Sequence, residues 1–331
     1  MTPPVVAFFN NRGGVGTTAL VYHLAWMLNE LGKAVVVLDL DPQARLTASF
    51  LDDDHVEALW SSTPRSTVYG ALSPLFEGEG GIGPPYLEEI RDRLWLAPGD
   101  LRLSGTEQQL GQAWADSLGR DVRAFRITTA FATVGRLAAA EAEADILLVD
   151  VGPNLGAINR AAMVASDHVV VPMAPDLYSL QGLQNLGPTL REWRQDWRDH
   201  VERSPRPDLN LPGGDMRPVG YVVLQHSVRV DRVVGAYDRW LRRVPAAYRQ
   251  SVLDEPPGGA PPVAEDPQCL GLLKHYLSLI PLGQEARKPV FFLRSADGAL
   301  GAHQRAVREA YRQFEALARR LLDEVTPPTP S

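Results

Sequence analysis

Cysteine is nearly absent: Cys269 stands alone in 331 residues, which excludes an intrachain disulfide framework or a Cys-rich metal cluster within one chain. Long apolar runs are absent too. Runs such as Val5–Phe9 and Ile146–Val149 fall far short of the roughly 18–20 residues that span a bilayer. Asn10, Asn11 and Arg12 close the first run without a cationic start or a small-residue cleavage site, so no secretory signal is expected. The 7 histidines include no HExxH and no paired metal spacing. Lysine is scarce: of 33 basic residues only Lys33, Lys274 and Lys288 are lysines, leaving 30 arginines. The formal charge of −7 excludes a dedicated nucleic-acid coat, which is strongly basic. That charge is uneven, however. Residues 1–190 hold 12 Lys+Arg against 22 Asp+Glu, and residues 191–331 hold 21 against 18. A local arginine face in the second half stays open. The expectation is a soluble cytoplasmic protein.

What is present alternates between strand and helix signals. Val5–Phe9 reads as a short buried strand, followed by a glycine-rich turn and a helix from about Thr18 to Leu31 with Leu20, Leu24, Met27, Leu28 and Leu31 at helical spacing. Gly32 supplies the stop. Ala34–Leu38, Leu94–Ala97, Ile146–Val149, Val169–Val171 and Tyr221–Leu224 continue the strand series. Continuous apolar strands separated by helices predict an α/β fold: three layers, with a mostly parallel twisted sheet and helices on both faces. A single domain over residues 1–325 is the economical reading, with Pro/Gly-rich surface loops near 205–218 and 255–267 and a Pro-rich tail at 326–331. Ala302–Leu322 is a long amphipathic helix.

The most informative segment is Asn10-Asn11-Arg12-Gly13-Gly14-Val15-Gly16-Thr17-Thr18, between strand and helix. Glycines let the backbone pass close to a phosphate with converging N–H groups, and the helix start adds its positive dipole end. Asp39-Leu40-Asp41-Pro42-Gln43 places two carboxylates at a strand end, and Asp150 ends a later strand. In an open parallel sheet, ligands bind outside the carboxyl ends of the strands. Glycine loop, Asp41 and Asp150 therefore converge on one place, suited to a phosphate chain and Mg²⁺.

These segments resemble the ParA/MinD family of deviant Walker A ATPases almost end to end. The family loop KGGxGK[ST] is matched by Arg12-Gly13-Gly14-Val15-Gly16-Thr17-Thr18, and its DxDPQ by Asp39-Leu40-Asp41-Pro42-Gln43. Asp150-Val151-Gly152-Pro153 resembles its Walker B and second switch, and Ser278-Leu279-Ile280-Pro281 its later "tvIP". Asp-Pro-Gln points to the chromosome- and plasmid-partition branch. The resemblance implies an ATP-dependent homodimer with nucleotide at the interface and a ParB-like protein partner. Gly13 to Thr18 would hold the phosphates, Thr18, Asp41 and Asp150 the magnesium, and Gln225 and Pro281 the adenine. Asp41 would orient the attacking water, and Arg12 would reach the partner's nucleotide.

Two departures matter. The lysine that reaches across the dimer is Arg12, which can still make a bidentate contact to phosphate. The lysine that neutralises the β- and γ-phosphates is Thr17, which carries no charge. A hydrogen bond to a charged group contributes about 1.5–3 kcal/mol, so its loss weakens ATP binding about 10- to 150-fold. A site starting near micromolar would still fill at millimolar ATP, while hydrolysis suffers more, because the lost charge serves the transition state. Nucleotide binding with slow or absent turnover is expected. The alternative is a pseudo-ATPase that serves only as a protein-interaction scaffold. An iron–sulfur reductase on the same fold is excluded by the single cysteine.

Other candidates read as structural. Asp52-Asp53-Asp54 lacks further oxygen ligands and reads as a solvated loop; His23 is expected to pack on its helix; Ser104-Gly105-Thr106-Glu107 fits a capping box. Three arginine series, at 191, 194 and 198, at 239, 242 and 243, and at 305, 308, 312, 319 and 320, are either solvated helix faces or a sequence-blind grip on DNA phosphates. The Pro-rich end disfavours membrane attachment through a terminal amphipathic helix.

Overall fold

A computed structural model describes residues 2–224, 234–274, 276 and 278–326. Eight strands form one sheet: β1 (Val5–Phe8), β2 (Val35–Asp39), β3 (Glu88–Arg91), β4 (Leu94–Ala97), β5 (Ile146–Asp150), β6 (His168–Met173), β7 (Arg217–Leu224) and β8 (Cys269–Leu273). Their order is β3-β4-β2-β5-β1-β6-β7-β8. All pairs are parallel except β3 with β4.

Side chains alternate across the sheet with period two, and both faces are apolar because both are covered. Ala7, Val36, Leu38, Leu147, Val149, Val169 and Val171 enter one core. Val6, Phe8, Val35, Val37, Ile146, Leu148 and Val170 enter the other. The second layer is built from α1 (Thr17–Glu30), α2 (Arg45–Phe50) and α3 (Asp53–Ser61). The first is built from α4 (Val68–Glu77), α5 (Glu107–Ser117), α6 (Val122–Thr128), α7 (Ala130–Glu141), α8 (Ala157–Val164) and α9 (Leu177–Glu202). Among the later helices α10 (Val234–Leu241) precedes α11 (Val244–Ser251), which packs against α9. The chain closes with α12 (Ile280–Ala286) and α13 (Ala302–Val325), the latter against α1 and β8. The predicted three-layer α/β architecture is therefore present.

Several expectations need correction. β3 is an antiparallel edge strand with alternating exposure, and β8 extends the sheet beyond β7; neither stood out in the sequence. The loop expected to 218 ends earlier, because β7 begins at Arg217. Asp52-Asp53-Asp54 is no loop: the Asp52 carboxylate caps α3 by accepting from His55 N at 2.8 Å. The capping box at Ser104–Glu107 is absent. A 3-10 turn over Leu101–Thr106 leads into α5, Ser104 and Thr106 hydroxyls donate to backbone carbonyls, and Glu107 caps a different helix. Pro327–Ser331 lie outside the described residues.

Candidate functional site

β5 lies between β1 and β2, so the loops after these three strands meet at the point where the chain switches direction across the sheet. Register places Asp39 and Phe8 each opposite Asp150. The loop after β1 begins at Asn10, whose amide donates to Pro172 O at 2.6 Å and whose carbonyl accepts from Arg12 N at 3.0 Å. Gly14 and Gly16 have φ of +77° and +95°, the left-handed region that glycine tolerates without cost. A Cβ on Gly14 would meet nothing within 4 Å. Gly16 precedes α1 with no side-chain cap, and the first turn of α1 carries no acid. Among the described residues no acceptor takes an amide from Gly13 to Ala19. Such an uncapped helix start behind glycines is a ready anion site.

Beneath this loop sit three carboxylates. Asp39 is fully buried; its Oδ2 accepts from Thr47 N at 2.8 Å and Thr47 Oγ1 at 2.7 Å, and burial pushes its carboxyl up to about 7. Thr47 Oγ1 in turn accepts from Gly99 N at 2.8 Å. Asp39 thus anchors the start of α2. Asp41, almost as buried, accepts from Gln43 N at 3.0 Å through Oδ1. A Cβ on Gly152 would stand 3.1 Å from that oxygen, so Asp41 touches the loop after β5. Asp150 differs from both: it is fully buried, and neither carboxylate oxygen has a hydrogen-bond partner. Burial first, then the charges of Asp39 and Asp41, raise its carboxyl well above the usual range, while Thr18 and Arg45 oppose them. An unpartnered buried carboxylate costs free energy that a cation would recover.

Among the described residues no cluster of three His, Cys, Asp or Glu side chains forms a closed metal cage.

A cavity of about 570 Å³ opens beside Gly16 and Ala19 and is walled by Leu224, Tyr276, Ile280 and Phe314. It falls in the size range of small-molecule sites. Arg45, Lys274, Arg287 and Lys288 also line it. Pro281 is exposed and does not line the cavity, whereas its neighbours Ile280, Gly283 and Gln284 do. Gln225 lies outside the described residues.

Arg12 is not extended toward a neighbouring molecule. Its guanidinium pairs with Asp176, donates to Ser179 Oγ at 2.8 Å and stands 5.4 Å from the Tyr178 ring centroid, all at the start of α9. Two members of the first arginine series are also spent internally, while Arg198 is exposed. Arg191 donates to Ser251 O and Val252 O, and Arg194 to Asp215 O and Met216 O. Arg45, Thr47, Gly99 and Asp176 were not anticipated, because each reaches the site through packing of separate elements rather than through a motif.

The switch-point location and the glycine loop on an uncapped helix define the P-loop nucleotide-binding class. A family described as the AAA domain matches residues 4–203. The chain belongs to the ParA/MinD-like P-loop ATPases. It is 27% identical over 198 residues to the chromosome partitioning protein ParA of Caulobacter vibrioides, covering 60% of this chain and 66% of that one. The match thus spans slightly under two thirds of that relative. Among solved structures it is similar to protein DIP2308 of Corynebacterium diphtheriae, with TM-score 0.69, 23% identity and coverage of 98% and 100%. It is also similar to a Borrelia burgdorferi protein assigned to plasmid partition and bound to AMPPNP, with TM-score 0.60, 15% identity and coverage of 98% and 100%. At these identities the structures share the fold. No helix among the described residues is long and apolar enough to cross a membrane.

Proposed function

We propose that this chain binds ATP with Mg²⁺ at the loop Gly13–Thr18 and uses the bound nucleotide as a switch for homodimerisation, with slow or absent hydrolysis. The observation that carries this reading is Asp150: a fully buried carboxylate with both oxygens unpartnered beneath a row of uncommitted amides. The amides of Gly13, Gly14, Val15, Gly16, Thr17 and Thr18 cradle phosphate oxygens, and Thr18 and Asp150 hold the ion directly or through water. Bound Mg²⁺ supplies charge neutralisation on the phosphates. Asp41 keeps Oδ1 on Gln43 N and offers Oδ2 to orient a water. Thr17 leaves the cradle without an ammonium group, which supports binding with little turnover. Leu155, Leu177 and Tyr178 are exposed at this end of the sheet, an apolar rim that supports closure by a second copy.

Calorimetry with MgATP tests the reading: saturable binding in the micromolar to 0.1 mM range, with a shift to dimer in sedimentation, is expected. A second reading, a scaffold that no longer binds ATP, draws on Arg12 being held internally and on Thr17; it prevails if the wild type is silent while Thr17→Lys binds. For DNA, Arg305, Arg308 and Arg312 are exposed along α13 and support a sequence-blind phosphate contact, read as binding that weakens steeply with salt. A ParB-like partner would be sought by its effect on nucleotide turnover.

A further inference from the structure

Four cations line the cavity beside the phosphate loop, and three are already engaged. Lys274 pairs with Glu309, Lys288 donates to Asp297 at 2.7 Å, and Arg287 donates to Leu51 O at 2.5 Å. Arg45 makes no ion pair and no side-chain hydrogen bond among the described residues, and it is exposed. It shares the cavity wall with Gly16 and Ala19, the residues that flank Thr17 and Thr18.

Its placement is also poorly explained by the local fold. Arg45 is the first residue of α2, where the helix dipole disfavours a cation by about 0.3–1 kcal/mol. The residue before it, Ala44, holds φ +48°, the left-handed region that a Cβ disfavours. Ala44 has no side chain that could cap this helix start, and the cap comes instead from Asp39 on β2, which accepts from Thr47 N. A turn that breaks two local preferences yet keeps a free guanidinium facing the loop is the pattern of a functional rather than a structural residue.

We infer that Arg45 supplies, from α2, the positive charge that the loop lacks at Thr17, and binds the polyphosphate of the nucleotide. The inference rests on the ATP-binding reading above. A guanidinium offers planar, bidentate, permanently charged contact to phosphate, so a charge entering from the side can replace one rising from the loop.

The test is a two-site cycle read by calorimetry with MgATP, and with adenosine as a probe that has no phosphate. Wild type, Arg45→Ala, Thr17→Lys and the double variant are compared, with Arg45→Gln as a second variant that keeps the stem. Arg45→Ala is expected to raise the Kd for MgATP about 10- to 150-fold and to leave adenosine binding unchanged. In the Thr17→Lys background the same substitution should cost less than about threefold, because the lysine then meets the phosphates. A wild type that binds MgATP while Arg45→Ala and Arg45→Gln stay within twofold of it overturns this inference and leaves ATP binding standing. A wild type that binds no MgATP overturns both. Equal losses for adenosine and MgATP would mean that Arg45 shapes the cavity and carries no phosphate, which also overturns the inference.

Discussion

His23 lies on the α1 side of the cavity with both ring nitrogens committed. Nδ1 stands 2.6 Å from Ala19 O and must donate, and Nε2 accepts from Val290 N at 3.2 Å. The ring stacks on Phe314 with centroids 5.0 Å apart. A second proton on Nε2 would face the Val290 N–H, and burial lowers the imidazole pKa from 6.5 to about 4. The unfolded chain therefore takes up a proton near pH 6.5 that the folded chain refuses until about pH 4. The stabilisation is full above that window and is lost as pH falls through it, with a slope approaching about 1.4 kcal/mol per pH unit. Urea titrations from pH 7.5 to pH 4.5 should show a steeper fall in wild type than in His23→Leu; parallel curves would refute the assignment. Thr47 offers a second check. It satisfies two oxygen valences at once, on Asp39 and toward Gly99 N, so Thr47→Val should destabilise by about 1–3 kcal/mol in chemical denaturation.

Among elements, α8 depends on a residue fifty positions away in sequence. Gly156 precedes it with no side-chain cap of its own. Glu107, from the start of α5, accepts from Ala157 N at 2.5 Å and Ile158 N at 3.0 Å. A Cβ at Gly156 would lie 2.5 Å from the Glu107 carboxylate, so a side chain there would push that carboxylate aside. Charge and hydrogen bonding at a helix start each contribute, so Glu107→Ala should cost about 1–2 kcal/mol and Glu107→Gln roughly half of that. Faster amide exchange at Ala157 and Ile158 in the alanine variant would locate the effect; unchanged exchange would refute it. Distance along the chain explains what could be read beforehand and what could not. β1, β2, β5 and β6 are legible because burial on both faces demands unbroken apolar runs. β3 reads Glu-Glu-Ile-Arg because an exposed edge strand needs few apolar residues, here Ile90 alone. β8 carries Gly271 at its centre, where a Cβ would approach Leu317 Cδ1 at 3.3 Å, and glycine blunts the strand signal. The loop and its aspartates were legible because phosphate chemistry forces residue types into fixed spacing. Arg45 was not: after Asp-Pro-Gln it looks like any helix arginine until α2 is packed on α1.

At the scale of the whole molecule, the internal engagement of Arg12 would compete with the proposed dimerisation. If Arg12 of one subunit is to reach phosphates held by another, it must leave Asp176, Ser179 and the face of Tyr178. Both members of the ion pair are about one third exposed, at 31% and 34%. Solvent screens such a pair, so releasing it costs no more than about 1 kcal/mol per subunit. That is small against the energy of a nucleotide-bridged interface, and it would act as a modest brake on nucleotide-independent dimers. Asp176 has a second task, because it caps α9 by accepting from Ser179 N at 2.9 Å. Asp176→Asn keeps a competent cap while removing the charge that restrains Arg12. The expected outcome in sedimentation at fixed protein concentration is a lower ATP midpoint for dimer formation, by up to about fivefold per subunit. Arg12→Ala should lose both the restraint and the contact across the interface, and so fail to dimerise at millimolar ATP while still binding nucleotide. If Asp176→Asn leaves the midpoint where it was and Arg12→Ala dimerises normally, Arg12 serves only to fix the start of α9, and the contact between subunits must come from elsewhere on the rim formed by Leu155, Leu177 and Tyr178.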